Sequence, residues 1–263
     1  MDFGSEFVGK KVVITGAGGV IGRWLAEGFQ KVGATLCLTD VNQAKLDKQL
    51  AELNAAEGSF ALAADLTDAK SIEALGAAVK AGWGAPDILV NNAGIYPSGF
   101  LLDIGAKEWD QMMDINLRAP YLLSREMALL MIANKVQGHI VNISSGASRK
   151  MRRSVVPYCV SKTALDRLTK GLAIELAEYG IRANAVEPGF AAGSEVSDLT
   201  DEHIANTIAN IPLGRPSSPE DAVSAVLYLS SKAGSYVTGA TMTVDGGNSI
   251  GSTAVYQAKK HAL

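Results

Sequence analysis

Short apolar runs alternate along the chain with longer segments in which apolar residues recur every three or four positions. The short runs are rich in Val, Ile and Leu, as are the buried strands of a parallel sheet. The longer segments have the spacing of amphipathic helices. This alternation predicts an α/β chain with a doubly wound parallel sheet of about seven strands and helices on both faces. The predicted strands are residues 11–15, 35–39, 59–64, 87–90, 139–143, 181–186 and, with its turn, 241–247.

Glycines and capping residues mark the ends of the predicted helices. Gly33 and Gly180 stand where helices are expected to stop, and Ser218 precedes Pro219 as an N-cap. The predicted helices are residues 23–32, 42–57, 68–80, 106–134 and 155–178, with a further helix that begins at residue 219.

One domain is expected, because no linker, repeat or low-complexity stretch interrupts this pattern. It is predicted to span residues 10–248. Residues 1–9 are treated as an N-terminal extension, and residues 4–7 within it have the composition of a cloning remnant. Residues 249–263 form a C-terminal tail for which the sequence suggests no role.

Composition and charge exclude several classes of protein. The 263 residues carry a formal net charge of −3 and a pI of about 5.7, so no broad nucleic-acid surface is expected. No apolar run has the length of a membrane span, and the first residues do not predict a signal peptide. Cys37 and Cys159 lie in apolar contexts and predict reduced core residues of a cytoplasmic protein. The three histidines have no metal-ligand spacing, and no metal is expected.

A glycine-rich turn lies between the first predicted strand and the first predicted helix. It contains Gly16, Gly19 and Gly22, with Val20 and Ile21 between the last two glycines. Glycines let the backbone approach a pyrophosphate closely, and a helix N-terminus supplies N–H groups and the positive end of a dipole. Because a strand and a helix flank the turn, it predicts dinucleotide binding by a Rossmann-type domain.

Two further strand ends carry residues suited to adenosine. Asp40 follows the second strand, where its carboxylate would accept hydrogen bonds from ribose hydroxyls and repel a 2′-phosphate. Neither Val41 nor Asn42 supplies a cation, so we expect NAD rather than NADP. Asp40 or Asn42 could also cap the next helix, and the two roles are compatible. Asp65 and Leu66 end the third strand, where an adenine ring could rest.

Tyr158 and Lys162 lie one helical turn apart. An ammonium group near a phenol lowers its pKa from the ordinary value of about 10. A tyrosine tuned in this way can pass a proton to or from an alcohol oxygen. A serine at the end of the preceding strand, Ser144 or Ser145, could hold the same oxygen. Such Tyr–Lys pairs are common on helices, so the pair alone indicates no function.

Taken together, these segments resemble the short-chain dehydrogenase/reductase family. The resemblance covers nearly the whole chain from Lys10 to Asn248. It rests on Thr15-Gly16 to Gly22, Asp65, Asn91-Asn92-Ala93-Gly94, Asn116, Ser145, Tyr158 with Lys162, and Pro188-Gly189.

The resemblance implies a catalytic set and a group of cofactor contacts. The catalytic set is Asn116, Ser145, Tyr158 and Lys162; Ser145 is preferred to Ser144 because it lies thirteen residues before Tyr158. A homotetramer, or at least a dimer, is also implied. The further cofactor contacts are Asn92, Ala93, Gly94, Pro188 and Gly189, together with Tyr158 and Lys162.

The family places its substrate between variable loops, which here contain Tyr96 and Phe190. Residues 190–211 are expected to close over the substrate. Two positions depart from the family pattern: Val20 stands where a glycine is usual, and residues 190–193 lack the threonine that holds the nicotinamide carboxamide. Ser194 is the nearest hydroxyl.

The function implied is NAD-dependent hydride transfer between a secondary alcohol and NAD, reversibly with the ketone. Tyr158 would exchange the hydroxyl proton, Ser145 would hold the oxygen, and Lys162 would lower the pKa of Tyr158 and bind the nicotinamide ribose. Asn116, near a kink, would support a water chain, although a bond to the backbone is equally compatible. The alternatives are an NADPH-dependent 3-oxoacyl-carrier-protein reductase and an NAD-binding regulator without turnover.

Four cations lie between Ser145 and Tyr158, at Arg149, Lys150, Arg152 and Arg153. They form either a solvated charged loop or a surface that steers an anionic substrate.

Overall fold

The computed structural model describes residues 3–192 and 200–251. Its seven-stranded sheet is parallel in every pair and has the order β3-β2-β1-β4-β5-β6-β7. This is the predicted architecture, and each predicted strand is present. The strands are β1 Lys11–Thr15, β2 Thr35–Asp40, β3 Phe60–Ala63, β4 Ile88–Asn91, β5 His139–Ile143, β6 Arg182–Pro188 and β7 Thr241–Val244.

Eight α-helices connect or follow these strands within the described ranges. The long region predicted as one helix, residues 106–134, is two helices separated by a single π-helical turn, Asp114–Arg118. The second predicted helix stops at Leu53 rather than near residue 57, because Asn54 takes a left-handed conformation with φ of 46°. The helices are α1 Val20–Lys31, α2 Gln43–Leu53, α3 Ala69–Trp83, α4 Ala106–Met113, α5 Ala119–Ala133, α6 Val156–Leu176, α7 Asp201–Ala209 and α8 Pro219–Ser230.

Alternation along the strands builds one hydrophobic core on each face of the sheet. Val12 and Ile14 of β1 point to the face covered by α1, α2 and α8. Val13, between them, points to the face covered by α3, α5 and α6. Because both faces are covered, most strand residues are apolar, which is why the strands appeared as nearly continuous apolar runs in the sequence.

The segment before β1 packs onto the domain, which the sequence analysis did not expect. Phe7 is only 1% exposed, and its ring meets Phe29 of α1 edge-on with centroids 5.8 Å apart. Phe3 in turn meets Phe7 at 5.7 Å. These aromatic contacts extend the core under α1, so the described part of residues 1–9 contributes to the fold.

The strand order reverses direction at β1, whose neighbours are β2 and β4. The two connections leave on opposite faces of the sheet, which opens a crevice beyond the carboxyl ends of these strands. The glycine turn follows β1, Asp40 ends β2 and Asn92 follows β4, so the topology brings the predicted cofactor residues to this crevice.

Candidate active site

The turn between β1 and α1 is built by close backbone packing. A β-carbon at Gly22 would lie 2.1 Å from the Gly16 carbonyl oxygen, and one at Gly16, whose φ is +61°, would lie 2.7 Å from Ala93 Cα. Helix α1 begins at Val20 with no side-chain cap on its N-cap residue Gly19 and no acidic residue in its first turn. Ile21 also lies in that first turn. Such an uncapped N-terminus fits an anionic group, as a pyrophosphate requires.

Asp40 lies beside this turn. Its carboxylate accepts the Gly18 N–H at 3.1 Å and the Val41 N–H at 2.7 Å, while Asn42, not Asp40, caps α2 by accepting the Lys45 N–H at 3.0 Å. The carboxylate is therefore fixed at the glycine turn, where a ribose would lie next to the pyrophosphate.

Asn92 and Ala93 join the end of β4 to the end of β1. Thr15 Oγ1 accepts both of their backbone N–H groups at 3.0 Å, and the Asn92 side chain donates to the carbonyl oxygens of Thr15 and Gly16 at 2.9 and 3.0 Å. This network fixes the ends of β1 and β4 relative to each other. Gly94 continues it: a β-carbon there would lie 3.3 Å from Asn116 Oδ1 and 3.5 Å from Lys162 Nζ.

Asp65 and Leu66 follow β3 but differ in their surroundings. Asp65 is exposed and accepts the backbone N–H and the hydroxyl of Thr67 at 2.9 and 2.7 Å. The hydroxyl bond is the larger cause of its lowered pKa. Leu66 is buried in the core on the α3 side of the sheet, so its side chain packs inward rather than facing the crevice. Only Asp65 and the Leu66 backbone remain candidates for an adenine contact.

Ser145, Tyr158 and Lys162 come together at the end of β5 and the first turns of α6. A hydrogen bond with Ser145 lowers the pKa of Tyr158, yet burial has the larger effect and raises that pKa to about 12. Lys162 Nζ donates to the Ile143 carbonyl oxygen at 2.8 Å and lies 5.8 Å from the centre of the Tyr158 ring. Burial of the phenol therefore outweighs the hydrogen bond from Ser145, and the net shift of the Tyr158 pKa is upward.

Lys162 is nearly fully buried. Burial lowers its pKa to about 8, although the charge of Asp166, one turn further along α6, acts in the opposite direction. An ammonium with this pKa is still mostly protonated at neutral pH and can donate hydrogen bonds.

The π-helical turn between α4 and α5 places Asn116 inside the domain. Its side-chain oxygen accepts the Ile95 N–H at 2.9 Å, and its amide donates to the Ile95 carbonyl oxygen at 2.8 Å and to Ser161 Oγ at 3.1 Å. The predicted bond to backbone is thus present. Pi-helical turns of this kind recur at functional sites, and this one aligns Asn116 with Gly94 and Lys162.

The candidate residues Pro188, Gly189 and Phe190 lie at the carboxyl end of β6. Pro188 is the last residue of β6, Gly189 donates its N–H to the Val244 carbonyl oxygen at 2.8 Å, and Phe190 accepts the Ser217 N–H at 2.8 Å. Ser194 and the neighbouring residues 193–199 of the predicted lid lie outside the described residues, as does most of the tail.

Two loops meet beside Tyr158. Tyr96, in the loop after β4, lies against Tyr158 with ring centroids 5.8 Å apart. The Gly99 N–H donates to the Ser154 carbonyl oxygen at 2.8 Å, which joins this loop to the basic loop. Arg153 stacks over the Phe100 ring at 5.2 Å.

Glu187 is a buried acidic residue that sequence reasoning missed. Its side chain is fully buried; it accepts hydrogen bonds from Ser148 and Thr243 at 2.6 Å each, and Arg149 approaches it at 2.9 Å. It therefore connects the loop after Ser145 to the strand that ends at Pro188. Its signal in the sequence was an acidic residue directly before Pro188, at the end of the run Ala183 to Val186.

The comparisons with known proteins agree with this geometry. A family model described as Enoyl-(Acyl carrier protein) reductase matches residues 16–249. A short-chain type dehydrogenase/reductase from Mycobacterium marinum is 31% identical with a TM-score of 0.87, over 94% of this chain and 98% of that one. This chain belongs to the short-chain dehydrogenase/reductase family.

Two further relatives differ in their named activities. The 3-oxoacyl-(acyl-carrier-protein) reductase FabG of Haemophilus influenzae is 36% identical over 239 residues, covering 91% of this chain and 98% of its own. A putative NAD(P) dependent gluconate 5-dehydrogenase from Beutenbergia cavernae, solved with bound NADP, is 33% identical with a TM-score of 0.86, covering 92% and 97%.

The predicted family and fold are confirmed, and this dehydrogenase/reductase is an NAD(P)-dependent oxidoreductase acting on alcohols or ketones. Among residues 3–192 and 200–251, no group of three or more His, Cys, Asp or Glu side chains could hold a metal ion. In the same ranges no helix is long and apolar enough to cross a membrane.

Proposed function

We propose that this dehydrogenase/reductase uses NAD to interconvert a secondary alcohol and its ketone, with Tyr158 as the general acid and base. The observation that carries the proposal is the meeting of Ser145, Tyr158 and Lys162 beside the crevice where the glycine turn and Asp40 lie. Hydroxyl, phenol and ammonium are the groups that proton exchange at an alcohol oxygen requires.

The residues of the crevice fit a dinucleotide. The uncapped start of α1 at Val20 suits the pyrophosphate, and the Asp40 carboxylate suits ribose hydroxyls. Gly94, Pro188 and Gly189 would line the nicotinamide end. When bound, the oxidised cofactor would supply the hydride acceptor for the carbinol carbon, and the reduced cofactor NADH would supply the hydride for the carbonyl carbon.

Each catalytic side chain then has a defined task. In ketone reduction the protonated phenol of Tyr158 donates its proton to the carbonyl oxygen as the carbon gains the hydride; in alcohol oxidation the same atoms move in reverse. Ser145 holds the substrate oxygen by a hydrogen bond. Lys162 would hold the nicotinamide ribose, and its ammonium would stabilise the negative charge on Tyr158 once the proton has left. Asn116 bonds to Ile95 of the loop after β4 and to Ser161 of α6, and so holds this loop next to the helix that carries Lys162.

The choice of NAD over NADP rests on Asp40, which would face a 2′-phosphate with a negative charge. An NADPH-dependent 3-oxoacyl-carrier-protein reductase is the alternative enzyme, and the FabG relative supports it. A regulator without turnover would not need the Ser145–Tyr158–Lys162 arrangement. Assaying both cofactors with a panel of secondary alcohols and ketones separates the three: preference for NADP contradicts the cofactor proposal, and no turnover with either cofactor contradicts the enzymatic one.

We also propose a homotetramer, or at least a dimer, in the cytoplasm. Apolar side chains are exposed on two neighbouring helical regions, and a partner subunit would cover them. They are Trp109 on α4, Tyr121 and Leu129 on α5, and Val160 and Ile174 on α6. Light scattering at micromolar concentration that detects only monomer would refute the assembly. The cytoplasmic setting rests on Cys37 and Cys159, which are both free and buried.

A further inference from the structure

The two loops beside Tyr158 carry exposed apolar side chains. Phe100, Leu101 and Leu102 follow one another in the loop after β4, and all three are exposed, Leu102 to 96%. Met151 is exposed in the basic loop, which the Gly99–Ser154 backbone bond holds beside the first loop. Single exposed apolar residues are common, but a group of them at the mouth of a site indicates a ligand-binding surface. We call Phe100, Leu101, Leu102, Met151, Arg152 and Arg153 the rim.

The four cations of the basic loop have different surroundings. Arg149 pairs with the buried Glu187 at 2.9 Å and donates to Ser249 Oγ at 2.6 Å, so its charge is already satisfied. Arg153 lies over the Phe100 ring. Arg152 is close enough to Tyr158 for its positive charge to lower the pKa of that phenol. Arg149 is therefore a structural cation, whereas Arg152 and Arg153 belong to the rim.

The charge balance of the rim favours an anion. Residues 96–103 and 149–154 together contain four basic side chains and a single acidic one, Asp103. After Arg149 is paired with Glu187, three basic side chains remain against Asp103. A positive surface with apolar neighbours attracts anions and raises their local concentration.

We propose that the substrate is an amphipathic anion: a secondary alcohol or ketone on an apolar body, with a carboxylate or phosphate that binds Arg152 and Arg153. This rests on the proposed function. A polyhydroxylated substrate fits less well, because its hydroxyl groups would lose water against Phe100, Leu101, Leu102 and Met151 without gaining hydrogen-bond partners. The apolar body contacts the rim side chains, and the anionic group lies at the arginines.

Binding tests the proposal without turnover. Decanoate, decanamide and hexanoate are titrated calorimetrically into the enzyme with NAD present. We expect decanoate to bind about tenfold or more tightly than decanamide, a difference typical of charge pairing in a partly desolvated site. Arg152→Gln with Arg153→Gln should remove this preference, and Lys150→Gln, a loss of the same charge in the same loop, should keep it. Leu102→Ser should reduce the advantage of decanoate over hexanoate.

Kinetic measurements then show whether the anionic group is a carboxylate or a phosphate, and they test the substrate proposal separately from the proposed function. Four substrates are compared: a long-chain keto acid, its methyl ester, a ketoacyl coenzyme A thioester and a polyhydroxylated keto acid. We expect the double arginine variant to raise KM for the acid or the thioester, whichever is used, with kcat little changed and the ester unaffected. The effect should shrink with added salt.

Equal binding of decanoate and decanamide by the parent enzyme overturns the amphipathic-anion proposal, whatever the kinetics show. Preference for the polyhydroxylated acid over the apolar acid also overturns it. A loss of oligomers in the Leu102→Ser variant, with decanoate binding intact, would assign the apolar rim to a subunit contact and likewise overturn it. Absence of turnover with every substrate contradicts the proposed function instead, since the binding arm does not depend on catalysis.

Discussion

The floor and the rim of the active site are built in different ways. The floor, which consists of Asn116, Ser145, Tyr158, Lys162 and Glu187, lies at strand ends and on helices, and three of its members are almost completely buried. The rim lies on loops, and its apolar side chains are exposed. The chemistry of the floor needs atoms held at fixed distances, whereas the rim needs only a surface of suitable character. We therefore expect floor substitutions to act on kcat and rim substitutions to act on KM.

The largest effect is expected for Tyr158→Phe, which removes the exchangeable proton from the floor. We expect kcat to fall by about 10³-fold, within the range of general acid–base catalysis, with the melting temperature and the affinity for NADH nearly unchanged. Tyr121→Phe, which removes a hydroxyl from an exposed tyrosine on α5, should leave kcat unchanged. Retention of most of the activity by Tyr158→Phe would remove the basis for separating the floor from the rim.

Lys162→Met should lower activity while raising stability. The lysine pKa is lowered from 10.5 to about 8 in the folded protein, so the unfolded chain binds the proton more tightly. Folding therefore carries a penalty that is full below about pH 8 and vanishes towards pH 10.5.

The stability gain at pH 7 is expected to be about 1–2 kcal/mol after allowing for the lost hydrogen bond to the Ile143 carbonyl. In the same variant kcat should fall about 10²-fold, because the ammonium that stabilises the charged form of Tyr158 is lost. Urea unfolding at several pH values measures the gain. A variant that is less stable than the parent at pH 7, or a gain that grows with pH, would contradict the account.

Asp40 lies at the end of β2, away from the rim, and substituting it tests whether one side chain there selects NAD over NADP. We expect NAD to be preferred over NADP by about 10² in kcat/KM, because the phosphate would face a carboxylate. Asp40→Ala with Val41→Arg should reduce or reverse this ratio, and Asp47→Ala, which removes the same charge from exposed α2, should not. Equal use of both cofactors by the parent enzyme would contradict the assignment.

Glu187→Ala should have a smaller effect on catalysis. The change leaves Arg149 without its acidic partner and the Ser148 and Thr243 hydroxyls without an acceptor. We expect unfolding free energy to fall by about 2–3 kcal/mol and kcat by about tenfold, because the loop after Ser145 is less well fixed. Glu187→Gln, which keeps the shape, should recover part of both. An unchanged kcat in a destabilised Glu187→Ala variant would show that this residue stabilises the fold alone.

The sequence predicted those parts of the fold that follow from local pattern. Apolar runs located all seven strands, and the spacing of Tyr158 and Lys162 placed both side chains on one turn of α6. The π-helical turn at Asn116 was not predicted as such, because it depends on contacts with Ile95 and Ser161 that are distant in sequence. For the same reason the core position of Phe7 was missed.

Charge interactions were the least predictable part of the site. Two of these interactions depend on tertiary packing. Burial raises the pKa of Tyr158, and the buried Glu187 pairs with Arg149 and so neutralises one cation of the basic loop. Four similar cations in one short segment acquired different roles because a buried acid on β6 lies next to one of them. The sequence pattern alone does not show that Arg149 and Glu187 lie next to each other.

Deuterium transfer tests the central claim most directly. NADH carrying deuterium at both C4 positions of the nicotinamide is incubated with the enzyme and a panel of ketones, and the product alcohols are analysed by mass spectrometry. The account predicts alcohol with deuterium on the carbinol carbon for the parent enzyme and almost none for Tyr158→Phe at equal cofactor occupancy. Alcohol without deuterium, or no alcohol from any ketone despite bound NADH, would contradict it.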